Sequence, residues 1–481
     1  MSVIHRADAK MYIYFHRDGS HDEEVIMTTV LALCALVVTV LAGWLLVKRY
    51  KPVLVLLGAG LLLVLIRVIL RPSVPLLEGD ESSGSVWFDI IGLIESIAKS
   101  QLTGVGLIIM AAGGFSAYMN RIGATEALVR IVIGPVTRLK QPYLILVFTY
   151  VLGQLLFMVI PSAAGLAMLL VVIMMPIITA SGASAAAGAA VIATTSALPI
   201  GPATGTEILA AHTVGLSPAV YFVRNQLPVA IPTVVAVAIT HFFVQRRLDR
   251  RGGDDSAERR DGEHTAARQA PKWYAIFLLL PIILLIVFSP LAVRSVQLST
   301  VSAFLLVWLV TILVELIRNH DRSEVLGDAN AMFVGMGNMF AKVVSLIIGA
   351  QLFAEGLKQA GVIKLLVNGA EGVGLPLWGM AVLFSVVVGV VTFLTGSGVG
   401  SFTAFASLAP GIAKGLGGSA ASIVNPMQFC GGLFRSVSPI SGVVITVAGA
   451  AGISPMAVVR RTALPMLVGF IVMMISSLVF I

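Results

Sequence analysis

The sequence predicts an all-α polytopic membrane protein of two inverted repeats, each with five transmembrane helices plus a re-entrant hairpin. Three observations predict it. Hydrophobic residues make up 58% of the 481 residues and charged residues 12%, against about 25% charged residues in soluble domains. Apolar runs longer than the ~18 residues that suggest a spanning helix recur along the chain, whose mean hydropathy is +0.98. Helix-breaking residues recur at a constant spacing between the two halves.

Residues 1–26 are a polar, slightly acidic N-terminal extension without the apolar core of a signal peptide. Met27 directly precedes the first apolar run, as it would if the extension arose from an upstream start. The first repeat is 27–244. Spans near 28–47 and 52–70 flank the basic turn Lys48-Arg49-Tyr50-Lys51. Residues 71–101 read as a loop, with Glu78, Asp80, Glu81, Asp89 and Glu95 against Arg71 and Lys99; from Trp87 it is amphipathic enough to lie on the interface. A span over 102–119 and a short amphipathic helix over 124–136 follow. Apolar arms at 142–160 and 166–179 then surround the uncharged tip Pro161-Ser162-Ala163-Ala164-Gly165. The small tip and short second arm read as a hairpin that stops inside the membrane; an ordinary kinked pair of helices is the alternative. The segment 183–212 is interrupted from Leu198 to Gly205, where Pro199 and Pro202 break the helix, and 217–244 closes the repeat.

Residues 245–272 carry eight bases and six acids with little hydrophobicity. They read as a disordered cytoplasmic linker. The second repeat, 273–481, follows the same plan. Its spans lie near 273–288, 298–317 and 338–357, and hairpin arms at 376–394 and 402–413 flank Thr395-Gly396-Ser397-Gly398. A broken segment at 419–451 and a last span at 455–481 complete it.

Breaker positions carry the duplication. Pro202 and Pro439, Gly215 and Gly452, and Pro228 and Pro465 each differ by 237 (439 − 202, 452 − 215, 465 − 228). The hairpin residues Pro161 and Thr395, and Pro176 and Pro410, differ by 234 (395 − 161, 410 − 176). An odd number of spans per repeat inverts the halves. With the linker inside, the basic segments 48–51, 121–140 and 318–322 all fall inside, and the acidic 71–101 and both termini fall outside. The hairpins then enter from opposite sides and meet the broken helices near the midplane, the general plan of secondary transporters.

The candidate site lies at these breaks. Between Gly431 and Gly442 the apolar run is interrupted by Pro439, Arg435 and three serines. An intramembrane Arg is costly and marks function by default; a kink whose Arg435 merely pairs with a neighbour is the alternative. Helix N-termini favour anions, and Arg435 can grip a carboxylate through two parallel hydrogen bonds. By the offset of 237 its counterpart is Leu198, so the cation breaks the symmetry. Ser162, Thr204, Ser397, Ser438 and Ser441 supply hydroxyls there, and Gly205, Thr395, Gly396, Gly398 and Pro439 complete the substrate-binding set. Glu207 is the candidate for coupling to a sodium ion or proton, or else the ion-pair partner of Arg435. His212 and His241, near span ends, read as interfacial.

Other classes lack residues. Gly415-Leu416-Gly417-Gly418 precedes no Lys-Ser or Lys-Thr, so it is not a phosphate loop. No Ser-His-Asp or His-Glu-x-x-His arrangement appears, which argues against an intramembrane enzyme. Cys34 and Cys430 imply neither a disulfide nor a metal framework. The net charge of +8 sits largely in short loops and is not a nucleic-acid signal.

The run from Arg435 to Val444 (RSVSPISGVV), with Ala448-Gly449 and Ile453-Ser454-Pro455, resembles the anaerobic four-carbon dicarboxylate carrier family of DcuC type. The segments from Pro202 to Gly205 (PATG), Thr395 to Gly398 (TGSG) and Ala238 to Arg246 (AITHFFVQR) are similar to it too. The resemblance covers about 31–475. It implies exchange (antiport) or efflux of succinate, fumarate or malate across the bacterial inner membrane. It also implies the ion-transporter superfamily fold, a homodimer with scaffold and transport domains and an elevator mechanism. In the family pattern an acidic residue directly follows the Gly of the first break; here Thr206 stands there and Glu207 follows, which leaves the coupling ion open. An ion-coupled carrier of another carboxylate, such as an amino acid or a short peptide, is the alternative function.

Overall fold

The computed structural model describes residues 30–46, 48, 50–72, 74–77, 82–133, 139, 141–160, 162–202, 204–251, 270–288, 298–319 and 321–481. Among these there is no strand, and eight helices are long and apolar enough to cross a membrane. The predicted extension 1–26, the linker's middle at 252–269 and the tip residue Pro161 lie outside the described residues. The chain divides into two compact units: one is Met1–Lys99 with Ile348–Gly374, the other Ser100–Ile347 with Leu375–Ile481.

The first unit holds α1 (Val30–Leu46), α2 (Pro52–Leu70), the start of α3 (Val86–Arg121), the end of α12 (Arg322–Gln359) and α13 (Val362–Gly372). Its core gathers Val64, Val68, Leu76, Leu77, Ile90, Leu93, Ile97 and Leu352. Lipid tails provide no hydrophobic drive between helices, so close backbone approach must supply packing. Gly60 of α2 allows it: a Cβ there would stand 2.5 Å from the Phe353 nitrogen. Arg67, buried near the end of α2, donates to the carbonyls of Val74 (2.8 Å) and Pro75 (2.9 Å) and so folds the connection back.

The predicted loop 71–101 needs correction here. Its second half is helical from Val86 and continues into the predicted third span as one 36-residue helix. Asp89 explains the start. Its carboxylate accepts from the Ser82 hydroxyl (2.8 Å) and the Ser83 amide (2.7 Å), tying the first turn to the chain before it. Helix α13 was not predicted at all.

The second unit holds the remaining helices. In chain order these are α4 (Ala124–Ile133), α5 (Pro142–Phe157), α6 (Ala163–Ala180), α7 (Ala185–Thr194), α8 (Gly205–Thr213) and α9 (Pro218–Arg250). Then come α10 (Lys272–Val287), α11 (Thr300–Arg318), α14 (Leu377–Thr395), α15 (Gly398–Ala406) and α16 (Ala409–Gly415). The last three are α17 (Ala421–Arg435), α18 (Gly442–Ala451) and α19 (Pro455–Phe480). Helices α3, α9 and α12 each contain one π-turn, at Leu102–Gly106, Phe222–Gln226 and Phe340–Val344. Proline acts unequally: Pro176 sits inside an unbroken α6, whereas Pro410 falls in the first turn of α16, a separate short helix.

Helix α9 runs to Arg250, so the first six residues of the predicted linker are helical. Two of them join a polar ladder, Gln245 buried and Asp249 half-buried. Arg461 of α19 donates to Asp249 Oδ1 (2.8 Å) and Gln245 Oε1 (3.3 Å), and Asp249 accepts from the Ser184 hydroxyl (2.6 Å) that also caps α7. Gln245 Nε2 contacts His241 Nδ1 (3.2 Å), and His241 Nε2 meets the Thr194 hydroxyl (2.9 Å). His241 is therefore fully buried, not interfacial as predicted. With an amide donor at one ring nitrogen and a hydroxyl at the other, the neutral ring is satisfied and needs no water.

Candidate functional site

Both broken helices of the second unit are irregular where prolines remove backbone donors: 195–202 and 204 between α7 and α8, and 436–441 between α17 and α18. Irregular backbone at this depth must find partners inside the protein. At the first break glutamines supply them. Gln154 of α5 pairs with Leu198 as a second peptide would: its Nε2 donates to the Leu198 carbonyl (2.7 Å), and the Leu198 N–H donates to its Oε1 (3.2 Å). Gln226 repeats the arrangement, accepting from the Gly201 N–H (3.2 Å) and donating to the Pro199 carbonyl (3.2 Å). Gln428 of α17 donates to the same carbonyl (2.9 Å) and accepts from Gln226 (3.0 Å). At the second break the Ser438 hydroxyl donates to the Phe393 carbonyl (2.7 Å), and Thr462 donates to the Ser436 carbonyl (3.0 Å).

The bracing is testable. Gln154→Leu strips the Leu198 N–H of its partner, worth about 1–3 kcal/mol when buried and unmade, and leaves the Leu198 carbonyl with the Ile200 N–H alone (2.9 Å). A clear fall in the thermal midpoint of the detergent-purified protein is expected. An unchanged midpoint would mean that Gln154 does not hold the break.

A cavity of about 130 Å³ opens beside the two breaks, far more than the ~10–15 Å³ one water needs. Of the predicted residues, Thr204, Gly205, Gly398 and Arg435 line it. Thr206, Pro199, Gln428, Gly431 and Gly432 line it as well, with Phe157, Ile109, Met339 and Val343 among its apolar walls. The start of α8 faces it, and among the described residues no side chain caps that helix, so its first N–H groups are open to an anion. Arg435 Nη2 donates to the Ser196 carbonyl (2.5 Å) and hydroxyl (3.1 Å). Its Nε is buried and has no partner among the described residues. One edge of the guanidinium is thus anchored and another is unused.

The other predicted residues stand differently. Ser162, Ser397 and Ser441 accept from the amides of Gly165 (3.2 Å), Gly400 (3.2 Å) and Val444 (3.3 Å), capping α6, α15 and α18. Ser162 is exposed, and none of the residues lining the cavity comes from its tip. Thr395 donates to the Val391 carbonyl (2.7 Å). Gly396 is left-handed (φ 74°), and a Cβ there would lie 2.9 Å from the Ile440 carbonyl, so the second tip abuts the second break. Pro439 is half-buried within that break. Glu207 follows the lining residues directly, is fully buried, and neither carboxylate oxygen has a partner among the described residues. Among those residues Arg435 and Glu207 make no ion pair, since Arg435 is held by Ser196. His212 is exposed at the end of α8.

Gln154, Gln226, Gln428 and Ser196 were not predicted. For the glutamines a signal existed: a lone amide in an apolar span must find partners.

The DcuC family model, described as C4-dicarboxylate anaerobic carrier, matches residues 32–481. The probable anaerobic C4-dicarboxylate transporter DcuC of Vibrio cholerae is 33% identical over 449 residues, covering 93% of this chain and 97% of that protein. The anaerobic C4-dicarboxylate transporter DcuC of Escherichia coli is 32% identical over 456 residues, covering 94% and 97%. In fold, the chain is similar to the crystal structure of the Alcanivorax borkumensis YdaH transporter, with a TM-score of 0.63 and 16% identity over 89% of this chain and 98% of that one.

Proposed function

The chain belongs to the DcuC family of C4-dicarboxylate anaerobic carriers, and from that premise we propose that it is a secondary transporter carrying four-carbon dicarboxylates such as succinate, fumarate and malate, by exchange or efflux, across a bacterial inner membrane. One observation carries the site: the cavity joins the uncapped start of α8 to a guanidinium with an unused edge. One substrate carboxylate lies on Arg435 and the other on the N–H groups of α8. Glu207, next to those N–H groups, is the group that responds to the coupling ion, a sodium ion or a proton. Thr204, Gly205 and Gly398 shape the cavity, and Ser397 holds the start of α15, whose Gly398 and Val399 line it.

The inverted-repeat reading, with 27–244 and 273–481 as the halves, finds support in the placement of elements. Helices α8 and α18 start at Gly205 and Gly442, and α9 and α19 at Pro218 and Pro455, each pair 237 apart (442 − 205, 455 − 218). The π-turns at Leu102–Gly106 and Phe340–Val344 differ by 238 (340 − 102). In this reading α5–α6 and α14–α15 are the re-entrant hairpins. The division into units falls within α3 and α12, close to these π-turns, and π-turns are frequent at functional sites; this supports an elevator with the smaller unit as scaffold, and the homodimer rests on the family resemblance alone.

Counterflow in proteoliposomes tests the substrate. Labelled succinate should exchange against unlabelled succinate, fumarate and malate, and monocarboxylates should compete poorly because they leave one anion position empty. Strong competition by an amino acid or a short peptide, with none by fumarate, would replace this reading with the alternative carboxylate.

A further inference from the structure

The first unit carries a groove that the proposed transport site does not use. It runs along the hairpin of α1 and α2 and encloses about 510 Å³, within the ~300–1,000 Å³ of small-molecule sites. Leu41, Leu45, Leu54 and Leu62 form apolar walls. The floor is shallow in side chain: Ala42 and Val55 are buried, and a Cβ added to Gly58 would meet nothing within 4 Å. One end is different. It closes on Tyr50 and Lys51, and beside it Lys48 Nζ lies 5.4 Å over the Trp44 ring. Trp44, Lys48, Tyr50 and Lys51 are all exposed.

Aromatic side chains beside lysines at a helix end mark the headgroup level of a bilayer. The groove is thus apolar along its length and cationic at its headgroup end, the outline of a lipid. A second copy of the chain could also cover it. That cover would take the two lysines out of water, and among the described residues no acidic one lines the groove to pair with them. A phosphate group brings the countercharge with it. We infer that this groove holds an anionic phospholipid, its phosphate on Lys48 and Lys51 and one acyl chain between α1 and α2.

The test uses the full chain in neutral detergent, with phosphatidylglycerol or phosphatidylcholine added and retained lipid counted by native mass spectrometry. Phosphatidylglycerol should be retained and phosphatidylcholine largely lost. Lys48→Ala and Lys51→Ala should each weaken phosphatidylglycerol retention about fivefold, one basic contact apiece. Gly58→Leu, whose Cβ enters open space, should displace the lipid without changing the unfolding midpoint measured in lipid-free detergent. Equal retention of the two lipids, or retention unaffected by all three substitutions, overturns the inference. So does efficient disulfide-linked dimerisation of Leu41→Cys in a Cys34→Ser background with phosphatidylglycerol present, which would give the groove to a second copy.

Discussion

Arg435→Ala is expected to weaken succinate binding by about a hundred- to a few thousand-fold, the equivalent of the ~3–5 kcal/mol lost when one partner of a buried charge pair is removed. The reasoning rests on how the guanidinium is divided. Nη2 is committed to Ser196, which fixes the orientation of the plane, while Nε is buried and unpartnered among the described residues and is the edge that the proposed site gives to a carboxylate. Arg435→Lys keeps the charge but has a single nitrogen, which cannot hold Ser196 and a carboxylate edge together. It should fall between wild type and Ala. Isothermal titration with succinate reads both, and a thermal-unfolding control separates lost affinity from lost fold. The double variant Arg435→Leu with Glu207→Leu should not restore binding, because Arg435 is anchored on Ser196 rather than on Glu207. Near-normal succinate affinity in Arg435→Ala, or in the double variant, would remove Arg435 from the site.

Gly398→Ala is expected to lower both stability and transport. A Cβ at Gly398 would overlap the Gly431 carbonyl, and in return a Cβ at Gly431 would stand 2.9 Å from the Gly398 oxygen. The backbones of α15 and α17 therefore meet directly at the wall of the cavity, and neither can yield as a flexible side chain would. Overpacking at such a contact costs about 1–3 kcal/mol, and any relief moves a residue that lines the cavity. Counterflow should drop at least tenfold, the loss that about 1.4 kcal/mol produces if it acts on substrate binding. Gly442→Ala is the control: a Cβ there meets nothing within 4 Å, so its rate and thermal midpoint should stay near wild type. Wild-type counterflow by Gly398→Ala would show that the close approach does not shape the site.

The serines show where sequence reading stops. Ser162, Ser397 and Ser441 stand at helix breaks, where a hydroxyl serves a cap and a substrate equally well. Pattern alone does not separate the two uses, because both need the same short polar side chain at the same place. In the structure all three cap. The glutamines went unread for a different reason. Gln154 lies 44 residues from Leu198 and Gln428 lies 229 from Pro199, so nothing local to either residue tells which carbonyl it serves.

The sequence by itself determined the all-helical membrane class, the interruptions around Pro199, Pro202 and Pro439, and the family. Apolar length, missing backbone donors and a specific motif are properties of contiguous residues, and no distant partner alters them. Tertiary structure alone decided that His241 is buried, that Asp249 belongs to a polar ladder and not a free linker, that Gly398 touches Gly431, and that Arg435 rests on Ser196. Each of these depends on which group the fold brings opposite. In a low-dielectric interior every buried polar group must find such a partner, and the chain supplies it from far away in sequence.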